Sequence, residues 1–466
     1  MLETLGFTAT QARGATAGRT LLAPAPRYLV FTLLIASLAV NAAIVLVGLP
    51  RTGGVIPGTK GTLDYSERFG DLYNRIADNL YEGHGYRVDS QMGETILREP
   101  GYPLLIAGMY RIVGHSSQVP RITCILLAFG SALLLLELTR KIAGDRTIAL
   151  IAALMFLLYP GTLVAEARAG NDIPCIFTML LFMVLLYHAM EKKSTWLYGV
   201  AGVSIGIAVL VRSEVMLFPV FVLGYLLITS ISWKARGKVA LQMLVLAAGL
   251  LVAMSPWILR NYLLVHKVVL TDTLGGVAMQ EGLFTCEHLP HYHDFYLTQR
   301  AAGAERADIA RQLGLRFQGS YYYQFFYTPQ DEMTFNRALL DHVLATYRTD
   351  PGVLAHCAAD NMLFRFWFLG KTSQATQLNM LVQLPVLALS LGGIIVLYKL
   401  GLLQKAAVVL LYIAYIPLIH APIIAHARHS MLVIAFLAVP AATFLGWVWH
   451  FQRTQHPRVH FAGTGT

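Results

Sequence analysis

Long apolar runs alternate with short polar loops along most of the chain. A membrane helix needs roughly 20 apolar residues to cross about 30 Å of hydrocarbon. Ten runs, some of them short, approach that requirement; they cover residues 28–49, 118–139, 147–161, 173–190, 195–211, 214–231, 239–257, 376–398, 404–424 and 430–449. The pattern predicts about ten membrane helices.

Two long polar segments, 50–117 and 258–375, separate these runs. In the first, ERFGDLYNRIADNLYEGHGY places apolar residues at helical spacing and ends in glycines, which predicts an amphipathic helix on the membrane surface. The second is long enough for a small lobe, in which NRALLDHVLATY predicts a helix and NMLFRFWFLG an aromatic-rich interfacial segment. The expected organisation is a transmembrane module over 1–257 that includes the first loop 50–117, a lobe over 258–375, and C-terminal membrane helices with a tail over 376–466.

Composition agrees with this organisation. Hydrophobic residues make up 56% of the 466 positions and charged residues only 13%, which is far from the mixture of a soluble domain and indicates an all-α polytopic membrane protein. The formal charge of +10 does not indicate nucleic-acid binding, because the basic residues lie between apolar runs rather than in one basic stripe.

The distribution of basic residues predicts the orientation. Alternate short loops carry them on the same side as the arginine-bearing N-terminus, namely Arg140, Lys141, Arg146, Lys192, Lys193, Lys234, Arg236, Lys238, Lys399, Lys405, Arg453 and Arg458. By the positive-inside rule, both termini are cytoplasmic in an inner (plasma) membrane and the two long segments face the exterior. The first apolar run is too long for a signal-peptide core and has no convincing cleavage site, so we expect an uncleaved first span.

Ionisable residues are nearly absent from the inner thirds of the predicted spans, which does not favour an ion-driven transporter. Acids and arginines gather instead at the outer ends of many helices: Asp64, Asp71, Arg98, Glu99, Glu166, Arg168, Asp172, Arg212, Glu214, Arg260 and Arg428. This pattern predicts one site at the outer membrane surface, where the polar end of a lipid is handled.

Several motifs together carry a family resemblance. They are GDLYNRIADNLYEGHGY, REPGYPLLIA, a carboxylate after the third span, SPWILRNY with a downstream GG, and an arginine in the last outer loop. In this combination the chain resembles the bacterial lipid-linked-sugar glycosyltransferases of the GT-C superfamily, in particular the group of protein O-mannosyltransferases and lipid A aminoarabinose transferases. The resemblance spans most of the chain and is weakest over 283–375.

The resemblance implies a GT-C-type helical bundle with interfacial periplasmic helices. It also implies an enzyme that transfers a sugar, with inversion, from a polyprenyl-phosphate donor to a glycan, lipid or protein acceptor on the periplasmic face. Expected partners are that donor, the acceptor and membrane lipids. Two other classes stay open, a lipid-linked saccharide or lipid transporter and a scaffold of the cell envelope. The sugar, the acceptor and the oligomeric state are not predicted.

The resemblance places a catalytic carboxylate in the first outer loop, where it takes the proton of the acceptor hydroxyl. Asp71 is the first choice, although the family's acid often precedes the tyrosine by four residues and Asp71 precedes Tyr73 by two. Asp64 is the alternative, and a solvated first-turn position is the non-catalytic interpretation of Asp71.

Asp172, in ARAGNDIPC, is predicted as the second acid, which orients the base or holds sugar hydroxyls. Glu166 is its rival. Asn171-Asp172 before Ile173-Pro174 is also good chemistry for the start of a helix, so an N-cap role is the alternative.

Arg98 and Glu99 directly precede Pro-Gly-Tyr-Pro, whose prolines stiffen the chain and whose glycine permits a tight bend. We predict a substrate-binding role for both residues. In related aminoarabinose transferases a Glu before a proline takes part in phosphate or metal binding, so the resemblance implies this role for Glu99 and suggests a divalent cation near it. A surface ion pair of little value is the alternative.

The planar arginine fork binds phosphate oxygens in a bidentate manner. We therefore predict further contacts to the donor from Arg168, Arg212, Arg260 and Arg428, together with Tyr73, Tyr102 and Asn261. For Arg260 the alternative is a snorkelling side chain, and for Arg212 a simple pair with Glu214.

The stretch CEHLPHYHD contains His288, His291, His293 and Asp294, but its spacing matches no strong metal signature. We expect a solvated loop there and no protein metal site. Cys286 and Cys357 both lie on the expected oxidising side and are candidates for a disulfide.

Overall fold

The computed structural model describes residues 26–48, 72–229, 232–292, 295–319, 324–370 and 372–455, and nearly all of this part is helical. In chain order the helices are α1 (Arg27–Ala43), α2 (Tyr73–Tyr81), α3 (Gly101–Val113), α4 (Val119–Ala143), α5 (Arg146–Leu157), α6 (Pro160–Arg168), α7 (Asp172–Lys192), α8 (Thr195–Val211), α9 (Phe218–Thr229), α10 (Trp233–Val265), α11 (Gly275–Tyr292), α12 (Phe295–Gln312), α13 (Pro329–Thr349), α14 (Pro351–Asp360), α15 (Phe366–Phe368), α16 (Ser373–Lys399), α17 (Leu403–His420) and α18 (Ala427–Gln455).

Short irregular elements complete the fold. A π-helical turn, Ile44–Gly48, continues α1, another, Asn361–Arg365, follows α14, and a 3-10 turn occupies Ser213–Val215. Strands β1 (Phe317–Gly319) and β2 (Gln324–Phe326) pair antiparallel, with Phe317 opposite Phe326.

The apolar helices occur where the hydrophobic runs predict them. Among the described residues seven helices are long and apolar enough to cross a membrane, and α5 and α6, bent by 51° at their junction, make an eighth if counted as one span. Two shorter apolar segments, α8 and the stretch Ser213–Thr229, complete the set. The chain is therefore an all-α polytopic membrane protein, as predicted.

The helices pack closely where small residues face a neighbour. A Cβ at Gly202 of α8 would collide with the Leu246 carbonyl of α10, and one at Gly393 of α16 would collide with the Pro440 carbonyl of α18. Small interface residues let helix backbones approach in this way in membrane bundles. Helix α18 is the most enclosed candidate span, with 78% of its apolar window buried, so it forms the centre of the bundle.

The first outer loop contains two helices next to the bundle. Leu72 has a left-handed φ of 64°, and α2 starts directly after it. Gly83 and Gly85 adopt positive φ just beyond α2, which confirms the predicted helix end. Helix α3, at 13 residues, is too short for a span and was not predicted; its exposed Ile112 and Val113 suit the membrane surface.

The second long segment forms a lobe of helices α11 to α15 and the β-hairpin. A disulfide joins Cys286 of α11 to Cys357 of α14, which answers the question that the sequence leaves open. Cys286 to His291 belong to α11, so the expectation of a loop for this part of CEHLPHYHD is wrong. The lobe rests on the last outer loop, where the Ile424 amide donates to the Ala278 carbonyl at 2.9 Å.

The opposite end of the bundle carries the basic loops. Lys141 at the end of α4 pairs with Glu191 near the end of α7 at 2.5 Å, and the Tyr187 hydroxyl donates to the Lys405 carbonyl at 2.5 Å. Because successive helices alternate in direction, the beginning of α7, the end of α8 and the beginning of α18 lie together at the lobe end.

Candidate active site

Several of the predicted polar residues form two adjacent clusters at the lobe end, together with three residues that the sequence did not identify. The Glu99 cluster consists of Tyr73, Arg98, Glu99, Asn171, Ser213 and Asp272. The arginine cluster consists of Asp172, Arg212, Glu214 and Arg428. Asp64 and Asp71 lie outside the described residues, so the identity of the catalytic base stays a prediction.

Glu99 is the centre of the first cluster, and it is 5% exposed. One carboxylate oxygen accepts from the Tyr73 hydroxyl at 2.6 Å, and the other accepts from the Ser213 amide and hydroxyl, both at 2.9 Å. The Tyr73 hydroxyl in turn accepts from the Asn171 amide group at 3.0 Å. Four segments that are remote in sequence thus meet at this carboxylate, which excludes the interpretation of Glu99 as part of a surface ion pair.

Tyrosines fix the backbone on both sides of Glu99. The Tyr86 hydroxyl lies 3.0 Å from the carbonyl oxygens of both Arg98 and Glu99, and the Tyr102 hydroxyl donates to the Ala169 carbonyl. The Arg98 guanidinium lies over the Tyr73 ring, 5.2 Å from its centroid, in a cation–π contact. Because Pro100 caps α3 directly afterwards, Arg98 and Glu99 are presented at a fixed position.

Asp272, between α10 and α11, is a site residue that the sequence analysis did not identify. Its carboxylate accepts from the Leu274 amide at 2.8 Å. Burial, and then the charge of Glu99, raise the pKa of Asp272 to about 7. The polar TDTLGG stretch after the seventh span was the only local sign of a functional residue here. Nothing in the sequence connects this stretch to Glu99, which lies 173 positions before Asp272.

Asp172 holds the arginine cluster together. One of its oxygens binds Arg212 and the other accepts from Nε of Arg428 at 2.9 Å. Arg212 also forms two hydrogen bonds to Glu214, at 3.2 and 2.7 Å. Two carboxylates and two guanidiniums therefore balance each other at this point. The pair of Arg212 with Glu214, which was the alternative for Arg212, is present, and the contact of Arg212 to the donor stays a prediction.

The two clusters are connected through the chain itself. Asn171 belongs to one cluster and Asp172 to the other, and the same holds for Ser213 and Arg212. Asn171 is the N-cap residue of α7, but its side chain makes no capping hydrogen bond and instead contacts Tyr73 and the Val211 carbonyl. The segments at the beginning of α7 and the end of α8 thus contribute residues to both clusters.

Arg260 and Asn261 hold neighbouring loops in place near the two clusters. The Arg260 guanidinium lies between the rings of Tyr86 and Trp257, 5.0 and 4.6 Å from their centroids, and pairs with Glu94 at 3.0 Å. Asn261 donates to the Val269 carbonyl at 3.1 Å. These contacts position the first loop; the phosphate contacts of both residues stay predictions.

The two remaining candidates lie on α6. Glu166 is fully buried and accepts from the Asn41 amide of α1 at 3.3 Å, so it faces the first span rather than either cluster. Arg168, at the end of α6, is half-buried. Its predicted contact to the donor is still a prediction.

The side chains around Glu99 show whether the described residues supply enough ligands for a divalent cation. Both oxygens of Glu99 already accept hydrogen bonds, and in the described part of the chain no three His, Cys, Asp or Glu side chains lie close enough to share an ion. Among the described residues, the protein groups alone do not make a metal site here, and the divalent cation near Glu99 stays a prediction.

The family model described as dolichyl-phosphate-mannose-protein mannosyltransferase matches residues 98–259, about a third of the chain. This match confirms the family resemblance over the segment that starts at Arg98 and ends beside Arg260.

Two solved structures are also similar to the chain. ArnT from Cupriavidus metallidurans bound to undecaprenyl phosphate is 14% identical, with a TM-score of 0.37, over 90% of this chain and 77% of that chain. The apo state of the same protein is 13% identical, with the same TM-score, over 89% and 77%. No curated protein sequence matches the chain significantly.

Proposed function

We propose that this protein is a GT-C membrane glycosyltransferase that moves a sugar from a polyprenyl-phosphate donor to an acceptor hydroxyl. The observation that carries the proposal is the meeting of the Glu99 and arginine clusters at one end of an apolar helical bundle. A donor of this kind has a long apolar tail, an anionic phosphate and a polar sugar, and the site offers an apolar bundle, guanidiniums and carboxylates side by side. The family-model match supports the same reaction class.

The active site in this proposal faces the periplasm or the exterior. The disulfide Cys286–Cys357 in the lobe suits an oxidising compartment, and the basic loops at the opposite bundle end suit the cytoplasm. Both termini are then cytoplasmic, and the membrane is the inner (plasma) membrane.

The reaction is a single displacement at the anomeric carbon. The acceptor oxygen forms a bond to that carbon while the bond to the phosphate oxygen breaks, and the phosphate leaves with the electron pair. The acceptor proton passes to a first-loop carboxylate, Asp71 or else Asp64. Attack from the face opposite the leaving phosphate inverts the configuration.

The described residues supply position and charge. Arg428, whose side chain is 23% exposed, is the more accessible guanidinium of the arginine cluster and stabilises the negative charge that develops on the phosphate. Glu99 and Tyr73 hold sugar hydroxyls. Asp172 keeps both arginines in place, and Arg98 and Arg168 face the donor from the neighbouring loops. Tyr102 fixes the Ala169 loop.

The test is a transfer assay with purified full-length protein in lipid nanodiscs, using labelled polyprenyl-phosphate sugars and envelope extracts as acceptors. Asp71→Asn should abolish turnover while binding of the donor lipid persists, with Asp64→Asn as the matched variant that decides between the two acids. An intact donor in the wild-type reaction, together with lipid translocation in proteoliposomes that Asp71→Asn leaves unchanged, contradicts the proposal and favours a transporter.

A further inference from the structure

The segment that leads into Arg98 and Glu99, residues 93–97, is held by the lobe and by the loop after α10. We call it the approach segment. The Gly93 amide donates to the Tyr327 carbonyl at 3.3 Å, and the Ile96 carbonyl accepts from the Thr273 hydroxyl at 3.4 Å. A Cβ at Gly93 would collide with the Tyr327 carbonyl, so this contact requires glycine. The lobe therefore touches the site through this short segment.

Glu332, in the first turn of α13, makes the strongest of these contacts. It is 3% exposed. One carboxylate oxygen accepts from the Thr95 hydroxyl at 2.5 Å and the other from the Ile96 amide at 2.8 Å. The Thr95 hydroxyl oxygen also accepts from the Leu97 amide at 3.0 Å. A single lobe carboxylate thus organises three consecutive residues that end directly before Arg98.

Glu332 is an expensive group to bury for the sake of fold stability alone. Both of its hydrogen-bond partners are neutral, and burial raises its pKa to about 7, although the hydrogen bonds and Arg260 act in the opposite direction. A carboxylate buried without a direct cationic partner costs free energy that an apolar residue would not. The helix N-terminus offsets only part of that cost.

We propose that Glu332 is a positioning residue: by locking the approach segment to the lobe it sets the placement of Arg98 and Glu99, so that the lobe completes the active site. This inference rests on the proposed glycosyl transfer and names the part of the molecule that regulates it. Glu332 does not touch the Glu99 cluster and acts through Thr95, Ile96 and Leu97.

The charge state of Glu332 controls this lock. The ionised carboxylate accepts from Thr95 and Ile96 at once, whereas protonation removes one acceptor oxygen. The charged groups that act on Glu332 are Arg260 of α10 and Asp331 of its own helix. The approach segment should therefore be held firmly above a pH of about 7 and loosen as the pH falls.

Hydrogen–deuterium exchange on the full-length protein in nanodiscs tests the lock without any substrate. Glu332→Ala should raise the exchange rate of the peptide covering 93–99 by about tenfold or more, since a buried hydrogen bond to a charged group contributes about 1.5–3 kcal/mol. Glu332→Gln keeps one acceptor and should give a smaller rise. Asp341→Asn is the matched control, because Asp341 lies on the same helix with its side chain 68% exposed.

The transfer assay then separates positioning from a purely structural role. Glu332→Ala should lower kcat at least about tenfold while KM for the donor changes less than about threefold. Glu332→Gln, which keeps one acceptor but carries no charge at any pH, should show an intermediate kcat without the acid-side decline of the wild-type pH profile. If Glu332→Ala fails to fold, Thr95→Val is the substitute, because it removes one of the two hydrogen bonds to Glu332 with little change in side-chain shape. It should also lower kcat with little change in KM.

Unchanged exchange in Glu332→Ala, or faster exchange with a wild-type kcat, overturns the inference. A wild-type protein that transfers no sugar instead overturns the proposed function. In that case the exchange experiment still decides whether Glu332 locks the approach segment.

Discussion

The two polar clusters at the lobe end differ in how their charges are compensated. In the arginine cluster every carboxylate meets a guanidinium directly, as Asp172 does with Arg212 and Arg428. In the Glu99 cluster the carboxylate is instead held by the hydroxyls of Tyr73 and Ser213 and by a backbone amide, while Asp272 adds a second acid beside it. In the first cluster two acids pair with two guanidiniums, whereas in the second two acids, Glu99 and Asp272, lie beside the single guanidinium of Arg98.

This difference indicates which residues act on a substrate. A buried ion pair is costly to break, so the deeply buried Asp172 and Arg212 are suited to holding helices α7, α8 and α18 in place. The more exposed Arg428 also contacts the donor phosphate in the proposed reaction. The Glu99 carboxylate is held instead by hydroxyls and a backbone amide, an environment suited to binding the hydroxyl groups of a substrate. We therefore expect substitutions in the two clusters to have different effects, on stability in one and on transfer in the other.

The largest expected effect is that of Glu99→Gln. The amide keeps the size of the side chain and one acceptor but loses the charge, so transfer should fall by about a hundredfold or more, as for other groups that act in the transition state. The melting temperature in detergent should change little. Glu82→Gln on the same loop, where the side chain is 54% exposed, is the control, and a Glu99→Gln rate near that of the control would contradict the assignment.

Asp172→Ala should have the largest effect on stability. It leaves Arg212 and Arg428 without their shared partner, and removal of one member of a buried ionic network typically costs about 3–5 kcal/mol. Unfolding in denaturant, followed by circular dichroism, measures this cost. A variant that kept full stability but lost turnover would instead favour the predicted role of Asp172 as the second catalytic acid.

A smaller effect is expected from the pH dependence of Asp272. Its pKa in the fold is raised to about 7, so the folded state binds the proton more tightly than the unfolded chain does. The contribution of Asp272 to the free energy of unfolding should be greatest below pH 4. It should fall by on the order of 1–3 kcal/mol as the pH rises from about 4 to 7. Thermal unfolding across this range measures the decline, which Asp272→Asn should flatten; an identical slope in the variant would refute the assignment.

The smallest effect is expected outside both clusters. Arg75 and Asp89 form an exposed ion pair at 3.2 Å, with side chains 44% and 34% exposed. Arg75→Gln should change stability by less than about 1 kcal/mol and leave transfer unchanged. This variant gives the baseline for the other three; a large loss would show that the first loop depends on exposed charges as well.

The helices of the bundle were predictable because hydrophobicity over about 20 residues is a local property of the sequence. Helix α3 was not predictable in this way, because its apolar run is short. The helical state of CEHLPHY was not predicted either. The contact of Glu99 with Ser213 joins residues 114 positions apart, and that of Glu332 with Thr95 joins residues 237 apart. No local pattern encodes such partners.

The candidate site was predictable in part for the same reason. The sequence identified the acids and arginines at helix ends, and the structure brings Arg98, Glu99, Asp172, Arg212 and Arg428 to one end of the bundle. It did not identify Asn171, Ser213 or Asp272, because small polar residues at helix ends most often serve as caps or turns. Only the tertiary fold distinguishes these from ordinary loop residues.

The disulfide between α11 and α14 makes assembly of the site depend on the cell's oxidising machinery. Its two cysteines are 71 positions apart, and α13 with Glu332 lies inside the loop that they close. The two cysteines of the spans, Cys124 and Cys175, are buried and unpaired. In the proposed orientation, a cell without periplasmic thiol oxidation should therefore insert the bundle normally but leave α11 and α14 of the lobe without their covalent link. If the chain carries out the proposed reaction, supplying an external oxidant should restore transfer without new synthesis.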